Sequence, residues 1–157
     1  MGRRWDRYIG TRYPDRAVAP LPTLEVRAAL LALNGPGLPF VVRNGTPKEK
    51  ADLVAECRIP QLGVTLKTRM RLVAADREVR TVDERWEVGS SHSDHSGTQY
   101  SRGPASSVYR TWKIERGADG SRRKVETFRF DTRDMKDPLR NTVLAAGWTW
   151  RGVLFKF

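Results

Sequence analysis

The chain has 157 residues, with 29 Lys and Arg against 18 Asp and Glu, for a formal charge of +11; such a surface draws polyanions over roughly a Debye length of 8–10 Å. An apolar fraction of 39% beside 30% charged residues excludes a disordered composition and fits one globular domain with a real core. One cysteine, Cys57, excludes an internal disulfide, and no run of about 18 apolar residues marks a membrane span.

Residues 1–22 mix bases with Trp5, Tyr8 and Tyr13, then meet Pro14, Pro20 and Pro22, which reads as an irregular basic arm. Thr23 is expected to cap a helix over Leu24 to Leu33, with Leu24, Ala28, Leu31 and Ala32 on its apolar face, stopped by Asn34-Gly35-Pro36-Gly37. The period then changes to two. Strands are expected at Phe40–Arg43, Asp52–Ile59, Leu66–Val73 and Val79–Val88. Leu53, Ala55, Cys57 and Ile59 share an inner row, as do Leu66, Met70 and Leu72, and Val82, Trp86 and Val88 are assigned to another.

The Ser/Gly-rich residues 89–107 read as a long loop without periodicity. A hairpin follows, Val108–Glu115 and Lys124–Asp131, turning at Asp119-Gly120, with Val108, Trp112 and Ile114 expected to face Phe128 and Phe130. Asp137-Pro138 is expected to open a last helix with Leu139, Thr142, Val143 and Ala146 as its stripe, ended by Gly147 in a left-handed turn. Trp148–Phe157 reads as a closing strand, with Trp148 and Trp150 anchoring the core. The pattern predicts a single α+β domain over residues 23–157: helix, six strands, helix, strand, in a mostly antiparallel sheet of six to seven strands.

Two segments carry a resemblance. Ala51-Asp52-Leu53-Val54-Ala55-Glu56 and Ala145-Ala146-Gly147-Trp148-Thr149-Trp150-Arg151-Gly152-Val153 are similar to those of small uncharacterised proteins of high-GC actinobacteria. That likeness implies no activity, cofactor or catalytic residue.

Charge placement says more than the total. Arg outnumbers Lys 22 to 7, a bias that GC-rich codon usage produces by itself. The arm carries +3 and residues 108–133 carry +4, while residues 23–88 are near balance and 89–107 are neutral. Three basic groups stand out: Arg3, Arg4 and Arg7 interleaved with Trp5; Lys67, Arg69 and Arg71 at period two on one strand; and Arg122, Arg123 and Lys124 at a hairpin tip. Guanidinium groups beside rings suit phosphates and stacked bases.

The chemistry-bearing residues are sparser. His92, Asp94 and His95 sit in the Ser/Gly loop without a second cluster to complete a shell, so no metal is expected. Cys57 falls on an apolar strand face, and the serines of 90–107 lack a nucleophile motif. Gly35-Pro36-Gly37 has the wrong spacing for a phosphate loop.

The expectation is a non-enzymatic, cofactor-free, cytoplasmic binder of nucleic acid or of an acidic protein surface. An alternative is an apolar pocket between a curved sheet and the last helix, lined by Glu56, Trp86, Trp112 and Trp150 and holding a small-molecule or acyl ligand.

Overall fold

Period-two patterning gives each segment between residues 41 and 88 an apolar and a polar side, so the segments pair through short turns. The computed structural model describes residues 9–88, 98–102 and 108–153. Helix α1 (Thr23–Leu31) leads into β1 (Val41–Asn44), β2 (Leu53–Ile59), β3 (Val64–Val73) and β4 (Glu78–Val88), each antiparallel to the last. β5 (Thr98–Arg102) follows antiparallel to β4. A separate two-stranded ribbon is formed by β6 (Val108–Arg116) and β7 (Arg122–Asp131), and helix α2 (Arg133–Ala145) then delivers β8 (Thr149–Gly152) parallel to β4. This is the expected single α+β domain.

One face of the six-stranded sheet makes the core. Leu53, Ala55, Cys57, Ile59, Leu66, Met70, Val79 and Trp150 are covered by Val26 and Leu30 of α1 and by Met135, Leu139 and Val143 of α2. Trp148 and Trp150 are both buried, and each buried indole is worth on the order of 4–6 kcal/mol of transfer free energy before ordering entropy is set against it. The Trp148 Nε1–H donates to the Leu21 carbonyl at 2.8 Å, so the polar end of the ring is satisfied too.

Helix α2 ends as the sequence indicates. Gly147 is left-handed at φ 77°, the Trp148 amide donates to Val143 and the Gly147 amide to Leu144, the paired bonds of a Schellman stop. Gly120 likewise takes φ 81° in the hairpin turn.

Several expectations are corrected. Helix α2 starts one turn early, at Arg133, because the Asp131 carboxylate accepts the Arg133 amide at 2.9 Å and Met135 extends the buried stripe. Pro138 is therefore inside the helix, where its missing N–H leaves only the carbonyl of exposed Asp134 without its i+4 donor. In α1 the buried pair is Val26 and Leu30, and Leu24 faces solvent; a nine-residue helix with apolar residues on several sides does not specify its own phase. Val82, Trp86 and Val88 lie on the face opposite the core, since the register Met70↔Thr81 and Leu72↔Val79 puts the odd positions of β4 beneath the helices. The stretch 89–107 contains strand β5.

Residues 9–22 belong to the fold. Arg12 bridges Trp150 through two backbone bonds of 2.8 and 2.9 Å, and the Leu21 amide donates to Ala146. At the far edge, Asn34 closes β1 with its amide, donating to the Val42 carbonyl at 2.6 Å and accepting the Val42 N–H at 2.7 Å. Those groups would otherwise template another strand.

A Cβ at position 147 would lie 2.8–2.9 Å from the backbone of Ala19 and Pro20, on top of the left-handed φ. Gly147→Ala is expected to cost about 2 kcal/mol or more and to lower the thermal midpoint by roughly 4–8 °C. Calorimetry of the two proteins checks this; an unchanged midpoint contradicts it.

Candidate functional site

The sheet face away from the helices is built of opposite charges placed by register. Glu56 pairs with Lys67 across β2 and β3, and Lys67 with Glu84 across β3 and β4. Glu49, in the loop between β1 and β2, folds over this face. Its carboxylate takes a two-pronged hydrogen bond from Arg43, with both bonds at 2.8 Å, and accepts from the Thr46 amide and hydroxyl. Lys67 Nζ lies 3.3 Å from Glu49 and 3.6 Å from Glu56, and Arg69 Nε lies 2.6 Å from Glu84. Arg69 also donates to the Glu49 carbonyl at 2.7 Å. Further along, Glu78 is held between Arg80 at 2.7 Å and Arg151 at 2.5 Å. Val54 and Val82 are buried on this same face, in the cross-strand row that also holds Arg43 and Arg69.

The pKa shifts follow from this pairing. The Arg43 hydrogen bonds hold the Glu49 carboxyl well below the ordinary carboxylate range against the opposing effect of burial. Burial by itself would raise the Glu78 carboxyl, but the hydrogen bonds and charges of Arg151 and Arg80 leave it lowered. These carboxylates are fixed in the ionised form, which suits structure and not proton transfer. Two of the three bases expected to project together, Lys67 and Arg69, are thus committed to carboxylates. Arg71 is exposed and borders an open hollow of about 550 Å³ with Lys50, Asp52 and the Gly45–Pro47 turn.

The β6–β7 ribbon is the contrasting region. From Trp112 to Thr127 every residue except Val125 is exposed. A bulge at Thr111/Trp112 leaves Thr127 as the extra residue on β7, its hydroxyl 2.8 Å from that of Thr111. The bulge decides which side faces inward. Tyr109 pairs with Phe130 and Thr111 with Phe128 on the body-facing side, while Trp112 pairs with Glu126 and Ile114 with Lys124 on the outward side. Val108, Trp112 and Ile114 therefore do not face Phe128 and Phe130 as the alternation suggests. They are exposed, Trp112 by 45% and Ile114 by 67%.

Among the described residues the ribbon is docked at its base. Phe130 is in the core, Phe128 and Tyr109 pack on it, and Arg85 donates to the Tyr109 hydroxyl at 3.3 Å. Toward the tip, Arg116 stands opposite Arg122, Glu115 opposite Arg123 and Ile114 opposite Lys124. Lys124 Nζ sits 4.8 Å from the Trp112 ring centroid, a cation–π contact that holds the ring in place. Asp119 is turned back onto the Ser121 amide and hydroxyl at 3.0 and 2.6 Å, which lowers its carboxyl pKa. Between Arg110 and Arg129 there are seven bases and three acids. Sequence order revealed this cluster, but not the bulge that turns Trp112 outward beside it.

The other expected groups separate. Arg3, Arg4, Trp5 and Arg7, and likewise His92, Asp94 and His95, lie outside the described residues. Glu56 and Trp86 are on the ionic face, Trp150 is packed on the opposite face and Trp112 is out on the ribbon, so the four do not line one pocket. Cys57 is buried, and desolvation raises its thiol to about 11, which leaves it protonated at neutral pH. Among the described residues no group of three His, Cys, Asp or Glu could hold a metal, and no helix is long and apolar enough to cross a membrane. Comparison with protein-family models, curated proteins and solved structures finds no match to this chain.

A carboxyl with a lowered folded pKa adds stability above its unfolded value of about 4.3 and loses it as pH falls toward the folded value. Glu49→Gln is therefore expected to lower the urea midpoint at pH 7, with the gap from wild type narrowing below about pH 4. A gap that stays constant from pH 7 to pH 3 would rule out Glu49 as the lowered carboxyl.

Proposed function

We propose that this chain is a non-enzymatic nucleic-acid-binding protein whose contact element is the β6–β7 ribbon. The observation that carries this reading is the division of charge between sheet and ribbon. Lys67 and Arg69 are held by carboxylates on the sheet. Among the described residues the side chains of Lys113, Arg116, Arg122 and Arg123 make no hydrogen bond or ion pair, and they lie on the same ribbon as the half-exposed Trp112. Unpaired cations release counterions from phosphates, and an exposed indole adds stacking or apolar contact with bases. The hollow beside Arg71 has neither a ring nor such a density of bases. The N-terminal residues Arg3, Arg4, Trp5 and Arg7 have the same composition as the ribbon and form a second contact in this proposal.

Four or five neutralised phosphates give a slope of about −4 in log K against log salt for duplex DNA. The triple variant Arg122→Ala, Arg123→Ala, Lys124→Ala is expected to bind at least 100-fold more weakly at low salt, with the slope reduced by about 3. Its melting midpoint should stay near wild type, because exposed substitutions usually change stability by only about 0.5 kcal/mol. Fluorescence anisotropy with a labelled oligonucleotide at ~50 mM salt reads both quantities. No binding by the wild-type protein rejects nucleic acid and leaves an acidic protein surface as the partner; unchanged binding by the triple variant rejects the ribbon as the contact.

A further inference from the structure

We infer that the β6–β7 ribbon enters the major groove of B-form DNA, with one face toward each wall; this rests on the reading of the ribbon as a nucleic-acid contact. Three observations lead there.

The first is the distribution of cations over both faces. Cross-strand partners share a face, so Trp112, Ile114, Arg116, Arg122 and Lys124 lie on one side, and Lys113 and Arg123 on the other. A ribbon laid flat on a single strand would use one side and point the other side's cations at water. A groove has phosphates along both walls, and both sets of cations then have partners.

The second is the state of the ribbon's edges. No backbone hydrogen bond joins β6 or β7 to any other described element, so the outward N–H groups along both edges remain available as phosphate donors. A two-stranded ribbon free on both edges is marginal by itself, and burial between two walls supplies the partners it lacks.

The third is shape. Paired strands about 4.8 Å apart, with side chains added, make a slab about 10–12 Å across, close to the width of a B-DNA major groove at about 12 Å. The described tip is narrow, with Gly117, Ala118 and Gly120 in the turn, and Asp119 is folded onto Ser121 and not directed forward. Five residues from Trp112 to Arg116 reach roughly 16 Å beyond the docked base, more than the groove depth of about 8.5 Å. Charge also disfavours a second copy of the same ribbon as the occupant, since Arg122, Arg123 and Lys124 would meet themselves.

The test compares three labelled ligands of one sequence at ~50 mM salt: a 20-base-pair DNA duplex, the RNA duplex, and the single DNA strand. The A-form major groove is too deep and narrow for side chains to read. The DNA duplex is therefore expected to bind at least about 10-fold tighter than the RNA duplex and tighter than the single strand.

Two double variants resolve the geometry. Lys113→Ala with Arg123→Ala removes one face, and Arg122→Ala with Lys124→Ala removes cations from the other. Groove entry predicts that each weakens duplex binding about 10-fold and lowers the salt slope by about 2.

RNA duplex bound as well as DNA, a tighter single strand, or an effect confined to one of the two variants would overturn groove entry while nucleic-acid binding stands. Failure of all three ligands to bind would overturn both readings.

Discussion

The outer edge of β4 is the constraint on which the rest of the architecture depends. Its first half, Glu78–Thr81, is taken by β8 in parallel, and its second half, Glu84–Val88, by β5 in antiparallel pairing. A parallel neighbour requires a crossover, and α2 is that crossover, which is why the helix lies over the core face and brings Met135, Leu139 and Val143 onto it. With β4 filled along its length and β1 closed by Asn34, the strands between β5 and α2 join neither of those two edges. They pair with each other and stand apart.

Charge follows the same division. Where the chain is inside the main sheet, register sets Glu opposite Lys or Arg and the loop carrying Glu49 adds a shared carboxylate, so the ten bases of residues 41–88 are nearly balanced by eight acids and six of those bases are ion-paired. Exposed pairs of this sort are each worth little, about 0–1 kcal/mol. Here the side chains are largely covered, with Arg69 and Glu84 only 12% and 7% exposed, and the valines interleaved with them, Val54 and Val82, are buried too. In the ribbon carboxylates are fewer: Glu126 reaches Arg110 at 4.0 Å and Lys124 sits on the Trp112 ring, while the side chains of Lys113, Arg116, Arg122 and Arg123 have no ion pair among the described residues. One composition thus yields a stabilising lattice in one place and an outward-facing field in another.

Much of this was legible beforehand, for identifiable reasons. Period-two patterning in Leu66–Leu72, and in Leu53–Ile59 apart from Val54, fixes which side faces the helices, and Cys57 follows its row. Gly147 and Gly120 announce their positive φ because few other residues tolerate it. Less visible was anything decided by tertiary partners. Val82 is apolar and buried yet lies on the ionic face, opposite Arg69 in the register. Thr127 carries no mark of a bulge, and the single-residue shift it introduces moves Trp112 and Ile114 from the expected interior to the surface. The Glu49 hub comes from a loop with no period to read. The basic tip was visible as a cluster, and its separation from the sheet's paired bases emerged only with the pairing.

The single line of contact at the ribbon's base, Phe130, Phe128, Tyr109 and the Arg85 bond, has a consequence for how such a protein changes over generations. Substitutions from Trp112 to Thr127 touch neither the core nor the lattice of the sheet, so they alter what the ribbon contacts while folding free energy stays nearly constant. Core positions are held to narrow choices of size and shape, whereas the ribbon is open to drift. Relatives sharing this body are then free to differ in target, with the variable text of the molecule confined to some sixteen consecutive residues, 112–127.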